Sequence, residues 1–304
     1  MIFGNGDSSE SNSSLFVIDL EEPLSSSYSK VIDTGEGTGL SAPTLQVDSL
    51  GRALQVYAGD IDGNLWRFDL YDEDKNDSND VSNWKLAYKL FEAKDGEKAQ
   101  PITAAPTLGI NVPKDYKTMV YFGTGKYYDD GDDAVGSVKH SFYAIADIGS
   151  KVSLSSLRKK TMNTTYSSTP KRVLDKDQNP DWKTQDGWVL DFDDPGAQGE
   201  RVTTKAILLF DKLIFPTLIP SDHACKYGGN SWLMEVPAVG DRYVGVNILK
   251  EMTYADYLIL GNLNATLSGD IGNIIKNSSL GKIETEDLSL PAPIEGRQSW
   301  RQLQ

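Results

Sequence analysis

Apolar residues along this chain fall in short alternating runs broken by small and acidic residues, the period of half-buried strands rather than of helices. One arrangement occurs four times: a short β-rich run ending in small residues, a turn, then an apolar run that closes on an acidic residue. The clearest copy is VYAGDIDGNLWRFDL, Val56 to Leu70. The first is IFGNG, Ile2 to Gly6, followed after a polar insertion by LFVIDL, Leu15 to Leu20. The third is MVYFGTG, Met119 to Gly125, with an acidic insertion before SFYAIADI, Ser141 to Ile148. The fourth is LIFPTLIP, Leu213 to Pro220, with an insertion containing Gly228 and Gly229 before SWLMEV, Ser231 to Val236.

Asp62-Gly63 between two alternating runs favours a tight turn with positive φ, so each copy is predicted to be an antiparallel hairpin. The segments ahead of the hairpins match as well: SAPTLQVD from Ser41, AAPTLGIN from Ala104 and, more loosely, RVTTKAIL from Arg201. Small residues and proline suit an innermost strand near a crowded axis. Runs such as WKLAYKLFEA, Trp84 to Ala93, supply a fourth strand. The predicted fold is therefore all-β, a β-propeller of four-stranded antiparallel blades with inserted loops. The competing reading, unrelated hairpins in a sandwich, does not account for inner strand and hairpin recurring in the same order.

The uneven spacing of Gly4, Gly59 and Gly123 is attributed to insertions within blades. The first hairpin starts at Ile2 with no inner strand ahead of it, so the ring is expected to be incomplete at its N-terminal side, with sequence preceding Met1. Blades are assigned to residues 1–240, interrupted at about 149–199, and residues 241–304 to a closing blade segment and tail. Within the interruption, VSLSSLRKK is predicted as a short serine-capped helix, the Asp-, Pro- and Gly-rich part as a decorated loop, and Trp188 to Phe192 as a strand. TYADYLIL, from Thr253, fits strand or helix, and the tail from Ser278 reads as polar and partly extended.

A formal charge of -14 over 304 residues disfavours nucleic acid and anionic membrane as partners, and the compact basic run Arg158-Lys159-Lys160 is too small to reverse that. The single cysteine, Cys225, rules out an internal disulfide framework and a Cys-rich zinc site. No apolar run approaches the roughly 18 residues of a membrane span. An export signal, if the protein is exported, lies outside this chain.

Catalytic chemistry is poorly supplied. The two histidines are His140, at the start of a repeat strand, and His223, in the run Ser221-Asp222-His223-Ala224-Cys225, where neighbours in one loop usually point apart. The strings GEGTG (Gly35 to Gly39) and GTGK (Gly123 to Lys126) lack the strand-then-helix context of a phosphate loop and read as turns. Calcium is the stronger candidate. In YDEDKNDSND, Asp72, Asp74, Asn76, Ser78 and Asp80 alternate as the ligands of a short calcium loop do. Asp77 stands where such a loop has glycine, and no acidic residue closes it. A solvated polar loop between blade strands is the competing reading. A second cluster, Asp129, Asp130, Asp132 and Asp133, lacks the alternation and reads as surface.

The strings GDIDGNLWRFDL, FGTGKYY, TLIPSDHACKYGGNSWLMEV and the terminal GRQSWRQL, in this order over nearly the whole chain, resemble the C-terminal propeller of the PilY/PilC family. The resemblance implies a large exported bacterial protein at the cell surface, pilus tip or outer membrane. It also implies a non-enzymatic role in type IV pilus assembly, retraction control and adhesion, with minor pilins, the assembly machinery and a host or abiotic surface as partners. Two alternatives are a quinoprotein-type propeller enzyme, for which no axial cofactor set is identified, and an outer-membrane assembly scaffold. The family often carries a D-x-D-x-D-G calcium loop just before the YAGD strand. Here that place reads QVDSLGRALQVYAGD, with Asp48 and Gly51 but no alternating acids, so the usual site is expected to be lost.

Overall fold

Strand order in the computed structural model follows the hairpin repeat. The structure describes residues 1–6, 11–20, 29–71, 84–129, 131–132, 138–166, 171–175, 178–209, 211–220, 230–239, 249–252, 264–268, 271–277 and 283–288. The first sheet is antiparallel in chain order, β1 (Ile2–Gly4), β2 (Ser14–Val17) and β3 (Lys30–Asp33). The second is the expected four-stranded meander, β4 (Thr44–Val47), β5 (Ala53–Gly59), β6 (Asn64–Asp69) and β7 (Lys85–Glu92). A small ribbon, β8 (Lys94–Asp95) with β9 (Lys98–Ala99), follows it.

The third meander is β10 (Thr107–Asn111), β11 (Lys117–Gly123) and β12 (Ser141–Ala146). The stretch read as an interruption adds β13 (Leu157–Lys160) and β16 (Gly187–Asp191) to it, and gives β14 (Met162–Thr165) and β15 (Lys171–Leu174) to the next sheet. The third sheet runs β10-β11-β12-β16-β13, and β13 lies parallel to β16. The fourth is built on β17 (Ile207–Leu209), β18 (Lys212–Pro216), β19 (Ser231–Pro237) and β20 (Leu249–Met252), with β15 and then β14 added at its outer edge. A separate sheet holds β21 (Asn264–Ser268), β22 (Ile271–Asn277) and β23 (Ile283–Leu288). TYADYLIL lies outside the described residues.

Two expectations for the 149–199 stretch are corrected here. The helix is a single 3-10 turn, Leu154–Ser156, capped by Ser153, and its basic half is strand β13. The free edge of β16 offers a full ladder to LRKK, and Leu157 enters the core while Lys160 packs over the Trp188 ring at 5.1 Å. Tertiary pairing overrides helix propensity. The decorated loop is likewise partly sheet. On β15, Arg172 is fully buried, bonds both oxygens of Glu200 at 2.5 and 2.6 Å, and covers the Trp232 ring at 4.2 Å.

Strands β11 and β12 are buried on both faces, which is why they carry consecutive apolar residues, Met119 to Phe122 and Phe142 to Ala146, rather than the alternation of half-buried strands. On β11, Met119 and Tyr121 face one core while Val120 and Phe122 face another. On β5 and β6, Val56, Ala58, Trp66 and Phe68 pack toward the first sheet, and Tyr57 and Leu65 toward the third. Burying one such large side chain stabilises by about 1.5–3 kcal/mol. Phe142 and Phe215 stack across the third and fourth sheets with centroids 4.0 Å apart.

The innermost strands adjoin through a repeated bond. Thr44 Oγ1 donates to the Pro106 carbonyl at 2.6 Å, and Thr107 Oγ1, its counterpart in the next blade, donates to the Ala206 carbonyl at 2.5 Å. The matching APT strings therefore lock one blade to the next, and the repeated antiparallel sheets joined at their inner strands are those of a β-propeller.

Candidate interaction face at the hairpin necks

Strands β1, β5, β11 and β18 end on Gly4, Gly59, Gly123 and Pro216, and the next residue is Asn5, Asp60, Thr124 or Thr217. These four carry out the same two bonds. Their backbone N–H groups donate to the carbonyls of Ser14, Asn64, Ser141 and Trp232 at 3.0, 2.9, 3.0 and 2.8 Å. Their side-chain oxygens accept from the N–H of those same residues, at 3.1, 2.8, 2.9 and 3.2 Å. A short side chain with an oxygen close to the backbone can mimic one more rung of the ladder, which Asn, Asp and Thr all do. The hairpin is thus tied off at a neck, and the neck is the same whether three residues separate Asp60 from Asn64 or a long acidic segment separates Thr124 from Ser141.

The three glycines admit the following blade. A Cβ on Gly59 would stand 2.2 Å from Ile102 Cγ2, one on Gly123 2.3 Å from Val202 Cβ, and one on Gly4 2.2 Å from the Leu40 carbonyl. The same neighbours bond to the necks. Ile102 N donates to the Asp60 carbonyl and Val202 N to the Thr124 carbonyl, both at 2.9 Å, while Leu40 N donates to Asn5 Oδ1 at 3.0 Å.

The second neck has a fully buried carboxylate. Asp60 accepts from Asn64 Nδ2 at 2.9 Å, Trp66 Nε1 at 2.7 Å and Ser13 Oγ at 3.1 Å, besides the Asn64 N–H. Burial pushes its pKa up, against the pull of those donors. GEGTG forms a strap over this neck rather than a phosphate loop: Ser13 N donates to the Gly37 carbonyl, and Thr38 Oγ1 to Asp62 Oδ2 at 3.2 Å.

At the third neck, His140 is buried with Nδ1 3.5 Å from Thr124 Oγ1, and burial, with the Arg201 charge behind it, pushes its pKa down to about 4. It is a neutral blade residue, as read. In GTGK, Arg201 packs on Gly125 and donates to the carbonyls of Lys126 and Asp132 at 2.9 and 2.8 Å. Lys126 pairs with Asp129, and Asp132 Oδ2 accepts from the N–H groups of Tyr128 and Asp129 at 3.0 and 2.9 Å. These two acids close their own turn. Asp130 and Asp133 lie outside the described residues, as do Ser221, His223 and Cys225.

The candidate calcium ligands Asp72, Asp74, Asn76, Ser78 and Asp80 also lie outside the described residues. Among the described residues, no group of three or more His, Cys, Asp or Glu side chains is disposed to hold a metal. The neck residues escape a reading of the sequence because one role is filled by three chemistries. Aligning the copies on their glycines puts Asn5, Asp60 and Thr124 in one column, and that column is the signal.

Residues 2–184 match the sequence profile of the PilY1 beta-propeller domain. The type IV pilus biogenesis factor PilY1 of Pseudomonas aeruginosa strain PAO1 is 32% identical over 271 residues, covering 76% of this chain and 23% of that protein. A PilY1 homolog of Xylella fastidiosa is 31% identical over 253 residues, covering 80% of this chain and 19% of that protein. The chain thus spans less than a quarter of the length of either relative. The crystal structure of the Pseudomonas aeruginosa PilY1 C-terminal domain superposes with a TM-score of 0.69 at 24% identity, covering 94% of this chain and 68% of that one. That likeness shows the fold. With that profile matched over more than half of its length, this chain belongs to the PilY1 β-propeller domain family.

Proposed function

We propose that this chain is the propeller part of an exported type IV pilus biogenesis factor. It works without catalysis, as a rigid scaffold at the bacterial surface whose hairpin loops contact minor pilins and the assembly machinery, and through them serves assembly, retraction control and adhesion. The pilus context is supported by the relatives, named as type IV pilus biogenesis factors. The observation that carries the scaffold reading is the neck. Four hairpins of unlike loop are closed by one pair of bonds, so the loops can differ while the blades stay fixed.

The test is to replace residues 127–138, beyond the third neck, with a short Asp-Gly turn in the full-length protein, keeping Thr124, Gly125 and Ser141. The expected outcome is a cooperatively folded protein, its midpoint lowered only by the loss of Arg201's bond to the Asp132 carbonyl, with reduced piliation and reduced capture of minor pilins. Normal piliation and capture after shortening this loop, and likewise those between Gly6 and Ser13 and between Pro220 and Asn230, would remove the proposal.

A further inference from the structure

The turn between β4 and β5 occupies the place where the family resemblance implies a calcium loop, and its residues do not fit that ion. Its one carboxylate, Asp48, is already engaged on both oxygens. Oδ1 accepts from the N–H groups of Leu50 and Arg52 at 2.8 and 2.9 Å, and Oδ2 accepts from Arg52 Nε at 2.7 Å. Asp48 N donates to the Arg52 carbonyl at 3.0 Å and Gly51 N to the Asp48 carbonyl at 3.1 Å, with Gly51 at φ 80, which only glycine adopts freely. Calcium takes roughly six to eight oxygen ligands, and this turn offers one carboxylate that already has three donors. The same guanidinium lies over the Tyr71 ring, 5.5 Å from its centroid. Tyr71 immediately precedes the acidic run that begins at Asp72, so one side chain ties the turn to the exit of β6.

We infer that Arg52 is the resident cation of the β4–β5 turn, and that this turn forms and holds without a divalent metal. A guanidinium is always charged, and its planar donors match a carboxylate edge. The clamp joins residues four positions apart in one chain, so it is made whenever the turn closes, whatever the calcium concentration. The aspartates missing from this turn and the arginine present in it are thus two sides of one exchange, a bound ion for a covalently attached cation.

The experiment is thermal unfolding and calorimetric calcium titration of the 304-residue chain, as wild type, Asp48→Asn, Arg52→Gln and Arg52→Lys. In the expected result, Arg52→Gln lowers the midpoint equally in EDTA and in millimolar calcium, Arg52→Lys recovers part of the loss, and Asp48→Asn changes any calcium affinity by less than about twofold. A fall in calcium affinity of about tenfold or more on Asp48→Asn, or calcium restoring the Arg52→Gln midpoint, overturns the inference.

Discussion

Arg67 on β6 donates through Nη1 to Asp147 Oδ2 at 2.8 Å, joining the second blade to the end of β12 in the third. The same carboxylate accepts from Tyr57 Oη at 2.6 Å, Tyr88 Oη at 2.5 Å and the Gly149 N–H at 3.0 Å. Burial opposes ionisation of Asp147, but these bonds and the guanidinium outweigh it and hold its pKa below the usual carboxylate range. Without the acid, Arg67 keeps Asp69 at 2.9 Å and Tyr57 keeps only a long bond to Gln55 Oε1 at 3.3 Å, while the Tyr88 hydroxyl loses Asp147 as its acceptor. Asp147→Ala is expected to destabilise the chain by about 1–3 kcal/mol, read from urea unfolding. Arg67→Met should cost less, because the tyrosines and Gly149 still satisfy the carboxylate. A loss from Asp147→Ala no greater than from an exposed Asp129→Ala would sink this account.

The necks give a sharper contrast within one side chain. Thr124→Val keeps the shape but removes the oxygen that accepts from the Ser141 N–H, which is buried. An unsatisfied buried donor costs about 1–3 kcal/mol. Thr124→Ser keeps the oxygen and loses only a buried methyl group, which costs about 0.8 kcal/mol. Equal midpoints for the Val and Ser variants in thermal unfolding would show that the neck bond contributes nothing.

How much of this was legible in the sequence follows from where the determinants lie. The Asp62-Gly63 turn, the glycines at 4, 59 and 123 and the APT strings are local signals tied to one backbone requirement each, and they place the hairpins and inner strands correctly. Strand β13 was hidden because LRKK has no preference of its own that matches its state; only the edge of β16, some thirty residues later, makes it a strand. Arg172, read only as part of a polar stretch, is buried because Glu200 and Trp232 come to meet it from elsewhere in the chain. The Arg52 clamp was half legible: the lack of alternating acids after Asp48 could be seen, but not the guanidinium that holds Asp48.

His140 sets a pH dependence whose sign can be worked out. Its folded pKa, about 4, lies below its unfolded value of 6.5, so between those values the unfolded chain holds the proton and the folded chain does not. Stability therefore rises with pH across that window and falls as the solution is acidified from 6.5 toward 4, by roughly 3 kcal/mol. Arg201 reinforces the shift, and Asp95 and Asp132 oppose it. Asp147 works in a lower window, its contribution being lost only as pH falls below 3.8. His140→Gln should flatten the profile between 6.5 and 4 while leaving the decline below it. An unchanged slope in the variant would assign the acid sensitivity to other groups.

Calcium at the loop that follows Tyr71 is a separate proposal from the clamped turn, and it rests on the alternation of Asp72, Asp74, Asn76, Ser78 and Asp80. Oxygen-bearing side chains at every second position can converge on one hard cation, while the five acids Asp72, Glu73, Asp74, Asp77 and Asp80 repel one another when none is bound. Binding should therefore strengthen as the acids deprotonate and weaken with added salt. Calorimetric titration of calcium is expected to give a saturable heat in the wild type that Asp74→Ala abolishes and that Asp48→Asn leaves in place. Equal heats for wild type and Asp74→Ala would return this segment to a solvated connection between β6 and β7.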